Sequence, residues 1–335
     1  MRDARFAFAP GLDVAILGQD AVVEAFRREY APREVPDRGD TALEIEFARL
    51  PRSSPAVTFG GRHKSVAWRV AVSPADASPT RMVIDLLGVP ISFARSLVQG
   101  YVVEPMLSVI AAEHDRALVP GAGVADERGL TLVLGRSGAG KSTLMARLAA
   151  TGHAVLGDDQ LLVDGAGMGS AFPRRLRFYP DIETTAPEAY ARMPISLRRR
   201  LRLRKALATA SRGFIRPSLG VDRATIGARW VPGPLAIGRV VLLERGDHNG
   251  ELRDEVATTE DAVTWAARLH AEQRARLNLS DDPVWRRRLA AVEERERTIE
   301  LAAFSGLPVA RLVVPHDRPA SDAIAAVAEH LGFAI

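Results

Sequence analysis

Cysteine is absent from this chain, which excludes disulfides, thiolate-held zinc and a cysteine nucleophile and leaves the fold to be held by packing alone. Long apolar runs are absent as well: no segment reaches the roughly 18 consecutive apolar residues that a bilayer-spanning helix needs, so no membrane partner is expected. The N-terminal stretch MRDARFAFAPGLDVAILGQDAV is interrupted by Asp3, Asp13 and Asp20 and lacks the apolar centre of a secretory signal. With no thiols to oxidise, a cytoplasmic protein is expected. Neither sign of charge dominates: 45 Lys and Arg against 41 Asp and Glu leave +4 over 335 residues, too little to announce a nucleic-acid binder. What is present is apolar material, 47% of the chain, enough for a substantial core in one large or two ordinary domains.

Residues 1 to about 100 read as short strands and turns. ALEIEFARL and HKSVAWRVAV mix alternating with β-branched positions, TRMVIDLLGVP suits a buried strand, and Pro, Gly, Asp and Ser cluster between them. ISFARSLVQGYVVEPMLSVIAAEH, 91–114, repeats apolar residues at helical spacing and predicts a pair of helices around Pro105. From residue 129 the pattern sharpens: GLTLVLG predicts a strand, RSGAG a glycine loop, KSTLMARLAA an amphipathic helix ended at Gly152, and HAVLG a second strand. AIGRVVLLER and PVARLVVP predict further strands, and 259–276, 283–297 and 320–332 further helices, so the core is α/β. The segment 192–216 carries nine basic residues and no acid. It reads either as a solvated helical face or flap, or as a platform for an acidic partner or nucleotide phosphates.

Gly135, Gly140, Lys141 and Ser142 match G-x-x-x-x-G-K-[ST] in full, between a predicted strand and a predicted helix, as that pattern requires. The glycines let successive N–H groups aim at phosphate oxygens, and the helix N-terminus adds partial positive charge. Lys141 is expected to reach the β- and γ-phosphates and Ser142 to offer its hydroxyl to Mg²⁺. The strand after that helix ends at Asp158 and Asp159, which a parallel neighbour would bring to the same sheet edge as the loop. Two adjacent carboxylates can divide the work: one binds metal, the other takes a proton from an attacking hydroxyl, and spacing does not say which does which. Arg174, Arg175 and Arg177 can stabilise charge on a transferring phosphoryl group, alternation setting Arg175 and Arg177 on one side and Arg174 on the other. No N-K-x-D guanine-reading motif and no L-S-G-G-Q transporter signature occurs.

GRSGAGKST followed by GHAVLGDD is similar to the HPr kinase/phosphorylase family, whose members carry a P-loop, a helix ending at Gly-His and a strand ending in Asp-Asp. More closely, it resembles the HPr-kinase-related proteins of bacterial biosynthetic clusters, among them those that phosphorylate ribosomal precursor peptides such as lasso peptides. His114, FPRRLRFYPD and WVPGPLAIGRVVLLER extend the resemblance over roughly residues 100 to 250. It implies ATP and Mg²⁺ as cofactors, transfer to a serine hydroxyl, a fold shared with phosphoenolpyruvate carboxykinases, and a homo-oligomer. It further implies nucleotide binding by Gly135, Arg136, Ser137, Gly138, Ala139, Gly140, Lys141, Ser142 and Thr143, metal binding by Ser142, Asp158 and Asp159, and chemistry at Lys141, Asp158, Asp159 and His114, with Arg175 the arginine chosen beside them. The glycine-rich signature that follows the Asp pair in true HPr kinase/phosphorylases is not found, so neither phosphorylase activity nor HPr as substrate is implied.

The expected architecture is therefore a P-loop kinase core of the HPr kinase/phosphoenolpyruvate carboxykinase type over residues 101–335, with a basic insertion around 192–216, after a smaller β-rich portion over 1–100. The expected function is Mg-dependent transfer of the γ-phosphoryl group of ATP to a hydroxyl of a peptide or small protein, a ribosomal precursor peptide among them. The alternatives are a nucleotide-gated ATPase switch or binding module and a kinase of a small-molecule alcohol.

Overall fold

Every second residue from Ala4 to Phe8 is apolar, and that period of two folds as a half-buried strand. In the computed structural model, which describes residues 2–36, 40–50, 57–74, 76–212, 218–229, 231 and 233–335, this strand is β1 (Arg2–Ala9). It turns through Gly11, φ 77°, into β2 (Leu12–Gly18). With β3 (Glu34–Val35), β4 (Leu43–Phe47), β5 (Val57–His63), β6 (Val66–Val72) and β7 (Thr80–Gly88) they form a seven-stranded mixed sheet of order β3-β1-β2-β4-β7-β6-β5. Helix α1 (Asp20–Tyr30) buries Val23, Phe26 and Tyr30, and the Tyr30 ring stands edge-on to Phe6 and Phe8 at 5.4 and 5.2 Å, the offset geometry that ring quadrupoles favour. The strand predictions at 42–50, 63–72 and 80–90 correspond to β4, β6 and β7.

The helices expected around Pro105 run on without a break. Helix α2 (Ile91–Val98) passes through a π-helical turn, Gln99–Val103, into α3 (Glu104–Glu113), and Pro105, which has no N–H to give to the preceding turn, stands second in α3, directly after the widened turn.

The chain divides into two units, residues 1–118 with 267–299, and 119–266 with 300–335. The boundary expected near residue 100 thus falls at 118/119, and a downstream segment joins the first unit. The reason is ionic. Arg274 Nη1 donates to both oxygens of Glu296 at 2.6 and 2.7 Å, and Ser108 of α3 donates to the same carboxylate at 2.8 Å. Arg288 donates to Glu113 at 2.6 and 2.8 Å and to Thr80 at 3.0 Å. Charges this buried persist only when paired, and these pairs tie the helical segment 267–299 to α3 and β7.

In the second unit, which β8 (Arg116–Val119) enters, β9 (Gly121–Asp126) and β10 (Gly129–Leu134) form an antiparallel hairpin. After α4 (Lys141–Ala150), β11 (Ala154–Gly157) pairs antiparallel with β9, so β11 and β10 run in the same direction with β9 between them. β12 (Leu161–Asp164) and β13 (Met168–Ala171) form a second hairpin. β14 (Leu176–Phe178) pairs with β15 (Leu219–Val221), and the chain between them makes α5 (Ile182–Thr185), α6 (Pro187–Arg192) and α7 (Ile195–Ala210). β16 (Leu235–Arg245) lies parallel to β10; β17 (Arg253–Ala257), α8 (Thr259–Arg274), α9 (Pro283–Phe304), β18 (Val309–Val314) and α10 (Ala320–His330) follow, with β18 parallel to β16. Leu144, Met145 and Leu148 of α4 pack between Val124, Val133 and Val155 of the sheet and Ile324 and Val327 of α10. Each such side chain, fully buried, contributes on the order of 1.5–3 kcal/mol, and together they fix where α4 begins.

The whole is α/β with mixed sheets, as expected. The 259–276, 283–297 and 320–332 predictions correspond to α8, α9 and α10, and the basic segment to α7; its residues 213–216 lie outside the described residues, as do Trp230 and Pro232 of the proline turn. Among the described residues no helix is long and apolar enough to cross a membrane.

Candidate functional site

The loop from Gly135 to Gly140 joins β10 to α4 and is pinned at both ends. A Cβ on Gly135 would lie 2.5 Å from the Leu243 carbonyl oxygen of β16, and one on Gly140 would lie 2.3 Å from Ile324 Cδ1. Gly138 and Gly140 have φ of 86° and 104°, a conformation that side chains with a Cβ rarely adopt. Between the pins the crest opens: Arg136, Ser137 and Gly138 are exposed, Ala139 is buried beneath them, and a Cβ on Gly138 would meet nothing within 4 Å. Lys141, Ser142 and Thr143 form the first turn of α4, whose leading N–H groups have no intrahelical partner. An anion seated on the crest would face those donors and the positive end of the helix. Gly140→Ala combines backbone strain with overpacking against Ile324, and is expected to cost about 2 kcal/mol of stability. In chemical denaturation Ile324→Val, which removes Cδ1, should restore the packing part and leave the strain part.

Lys141 is 9% exposed, and its ammonium is folded back onto its own loop, donating to the Gly135 carbonyl and, at 3.1 Å, to that of Arg136. Burial pulls its pKa below the usual lysine range, while Asp159 and Asp158 push it back up. The lysine therefore feels the charge of both acids, and the shared sheet edge expected of loop and acid pair lies inside one unit. It is reached through β9: β11 is not the direct parallel neighbour of β10, but the antiparallel strand between them restores the direction, so both carboxyl ends emerge at one sheet edge.

β11 stops at Gly157, and the two aspartates occupy the bend after it, where a Cβ on Gly157 would come 2.8 Å from the Gln160 carbonyl oxygen. Their surroundings differ sharply. Asp158 is 2% exposed; burial first, and then the neighbouring Asp159 charge, raise its pKa above the ordinary carboxylate range. Opposing them are the Arg177 backbone N–H, which donates to Asp158 Oδ2 at 3.2 Å, and the charges of Arg174 and Arg223. The Asp159 side chain is 45% exposed and ion-paired with Arg174.

Among the arginines, Arg174 meets the acid pair through an ion pair with Asp159. β14 begins only at Leu176, so alternation does not govern the two residues before it; Arg174 N–H instead bonds back to the Phe172 carbonyl at 2.8 Å, which swings its side chain to Asp159. The Arg175 guanidinium packs over Gly220 of β15, where a Cβ would lie 3.0 Å from its Nη2. Arg223, which sequence patterning does not single out, follows β15 and donates to the carbonyls of Phe172 and Arg174 at 2.8 and 3.0 Å, clamping the approach to the acids. Its only signal in the sequence is a basic residue after a short strand, which is no signal at all.

His114 belongs to the first unit, where it ends α3 two residues ahead of β8 and a Cβ on Gly11 would lie 3.4 Å from its Nδ1. His153 stacks edge-on to Phe333 at 5.2 Å. Among the described residues no group of three or more His, Asp or Glu stands together to hold a metal by protein ligands alone.

No protein-family model matches the chain. Over 51 residues it is 39% identical to large ribosomal subunit protein uL6 of Natronomonas pharaonis, a stretch that makes up 15% of this chain and 29% of that protein. A match so short shows no family.

Proposed function

We propose that the chain is an ATP- and Mg²⁺-dependent kinase that transfers the γ-phosphoryl group to a hydroxyl, with a serine of a peptide or small protein as the acceptor. The observation that carries this reading is that the loop bearing Lys141 and the bend bearing Asp158 and Asp159 leave the sheet at one edge, beside an open glycine crest. The likeness of the loop and acid pair to HPr-kinase-related proteins supports it.

When bound, Mg-ATP supplies the transferable phosphoryl group. The crest N–H groups and Lys141 would bind and orient its phosphates, the lysine giving up the carbonyls of Gly135 and Arg136 to do so. Ser142 and Asp159 would hold the metal, since Asp159 is the carboxylate that stays partly open to solvent. Asp158 is the base. Its burial raises its affinity for a proton toward that of a working general base, and the Arg177 N–H keeps one oxygen aimed while the other takes the proton of the attacking hydroxyl. Arg174, released from Asp159, carries positive charge to the place where negative charge develops on the transferred group.

Incubation with γ-labelled ATP, Mg²⁺ and candidate peptides tests this. Label is expected on a serine of an acceptor, and it is expected to disappear with EDTA. Free phosphate as the sole labelled product would instead establish an ATPase switch, and label on a small alcohol would narrow the acceptor to that class.

A further inference from the structure

The described acid-base and packing roles leave α7 unused. It spans Ile195–Ala210, carries six arginines and lysines and no acid, and buries only Leu201. Ile195, Arg199, Leu203 and Leu207 stand four residues apart, so they form a single ridge along the helix. The ridge faces outward: Ile195 is 62% exposed, Leu203 64% and Leu207 48%. Arg200 and Arg204 flank it on one side, Arg198 and Arg202 on the other. The helix is fastened by its other side, where Glu183 pairs with Arg202 at 3.8 Å and with Lys205 at 3.4 Å and Tyr190 Oη accepts from Arg202 Nε at 3.1 Å. Among the described residues Arg199 and Arg200 pair with no carboxylate.

A ridge of leucines set among arginines, of which Arg199 and Arg200 have no carboxylate partner among the described residues, is complementary to one kind of occupant, a peptide that alternates apolar side chains with carboxylates. Arginine in place of lysine favours that choice, because the planar guanidinium pairs with a carboxylate through two parallel bonds. A lipid surface fits less well: an interfacial helix gathers its apolar residues into one broad face, often with aromatics, whereas here Arg199 interrupts a narrow row that has none. Single-stranded nucleic acid fits less well too, since it asks for aromatic platforms on which bases can stack.

The helix is also tied to the candidate site. It lies in the chain between β14 and β15, the strand pair that holds Arg177 N–H against Asp158 and leads into the Arg223 clamp.

We infer that the outer ridge of α7 is the docking surface for an acidic, leucine-containing segment of the peptide substrate, which it holds beside the acid pair. The inference rests on the kinase reading for the word substrate, but not for the binding itself.

The test uses the full chain and fluorescence anisotropy. The probe is a short fluorescein-labelled peptide of repeated Leu-Glu-Glu units, compared with its Leu-Gln-Gln counterpart, with vesicles containing phosphatidylglycerol and with labelled oligothymidylate. The Glu peptide is expected to bind, and binding should weaken by at least about tenfold in Arg199→Glu/Arg200→Glu and again in Leu203→Ser/Leu207→Ser. Both variants change exposed side chains, and unchanged binding of a fluorescent ATP analogue would verify that the unit is intact. Equal binding of the Gln peptide, indifference to the variants, or preference for vesicles or oligonucleotide overturns the inference. Peptide binding that obeys the variants in a protein without ATP affinity leaves the docking surface standing and removes the kinase reading.

Discussion

Asn in place of Asp158 is expected to reduce phosphoryl transfer by about 10³-fold while making the ligand-free protein more stable, by about 1 kcal/mol or a few degrees in Tm. The two effects have one cause. Asp158 is almost wholly buried next to a second carboxylate, so its charged form is disfavoured in the folded state and its pKa lies above the unfolded value. For a carboxyl shifted in that direction, the favourable contribution is fully present below the unfolded pKa and is lost as pH rises through the folded one. Asparagine keeps an oxygen for the Arg177 N–H and never ionises. Melting curves from about pH 4 to about pH 8 should therefore coincide at the acid end and separate toward neutrality, the variant melting higher. Coincidence throughout would mean that Asp158 is not strained by its burial and is no candidate for a raised-pKa base. Asp159→Asn supplies the contrast: its side chain is half-exposed and held by Arg174, so it should lose transfer without the gain in stability.

The parts of this site that the sequence carries are those set by local chemistry. The glycine loop is legible because only particular backbone angles and no side chain fit at Gly135 and Gly140, and the strand and helix around it follow from unbroken apolar periodicity. The acid pair is legible for the same reason: two charges ending an apolar strand next to such a loop are out of place unless something needs them. What the sequence hides depends on distant partners. The intervening strand β9 is a matter of sheet order, which alternation does not report. The pairing of Arg174 with Asp159 turns on a backbone bend just before β14, within a run of basic residues that all look alike. Segment 267–299 joins the first unit through Arg274, Glu296 and Ser108, and no periodicity marks a bond between residues so far apart in the chain. His114 stands upstream of the loop in sequence, yet it is packed with the first unit rather than the one that holds the acids.

Lys141→Ala should remove both binding and chemistry: nucleotide affinity falling about 100-fold, from the loss of charge-assisted bonds to phosphate at about 1.5–3 kcal/mol each, and transfer falling at least about 10³-fold. The apo protein supplies an independent check. Both acids favour the charged lysine, so its removal leaves the acid pair with less compensation. Lys141→Ala should therefore destabilise the protein above neutrality more than below it, and the loss should shrink when Asp158→Asn is present. A double-mutant cycle in chemical denaturation should show coupling on the order of 1 kcal/mol, against near-additivity for Lys141→Ala with a change at an exposed apolar side chain such as Leu203→Ser. Lys141→Arg is not expected to rescue, because a planar fork cannot fold back onto the Gly135 and Arg136 carbonyls as an ammonium does. Nucleotide affinity within threefold of the wild type in Lys141→Ala, together with a zero coupling energy, would show that lysine and acids do not share one site, and the phosphate cradle and the catalytic pair would have to be argued apart.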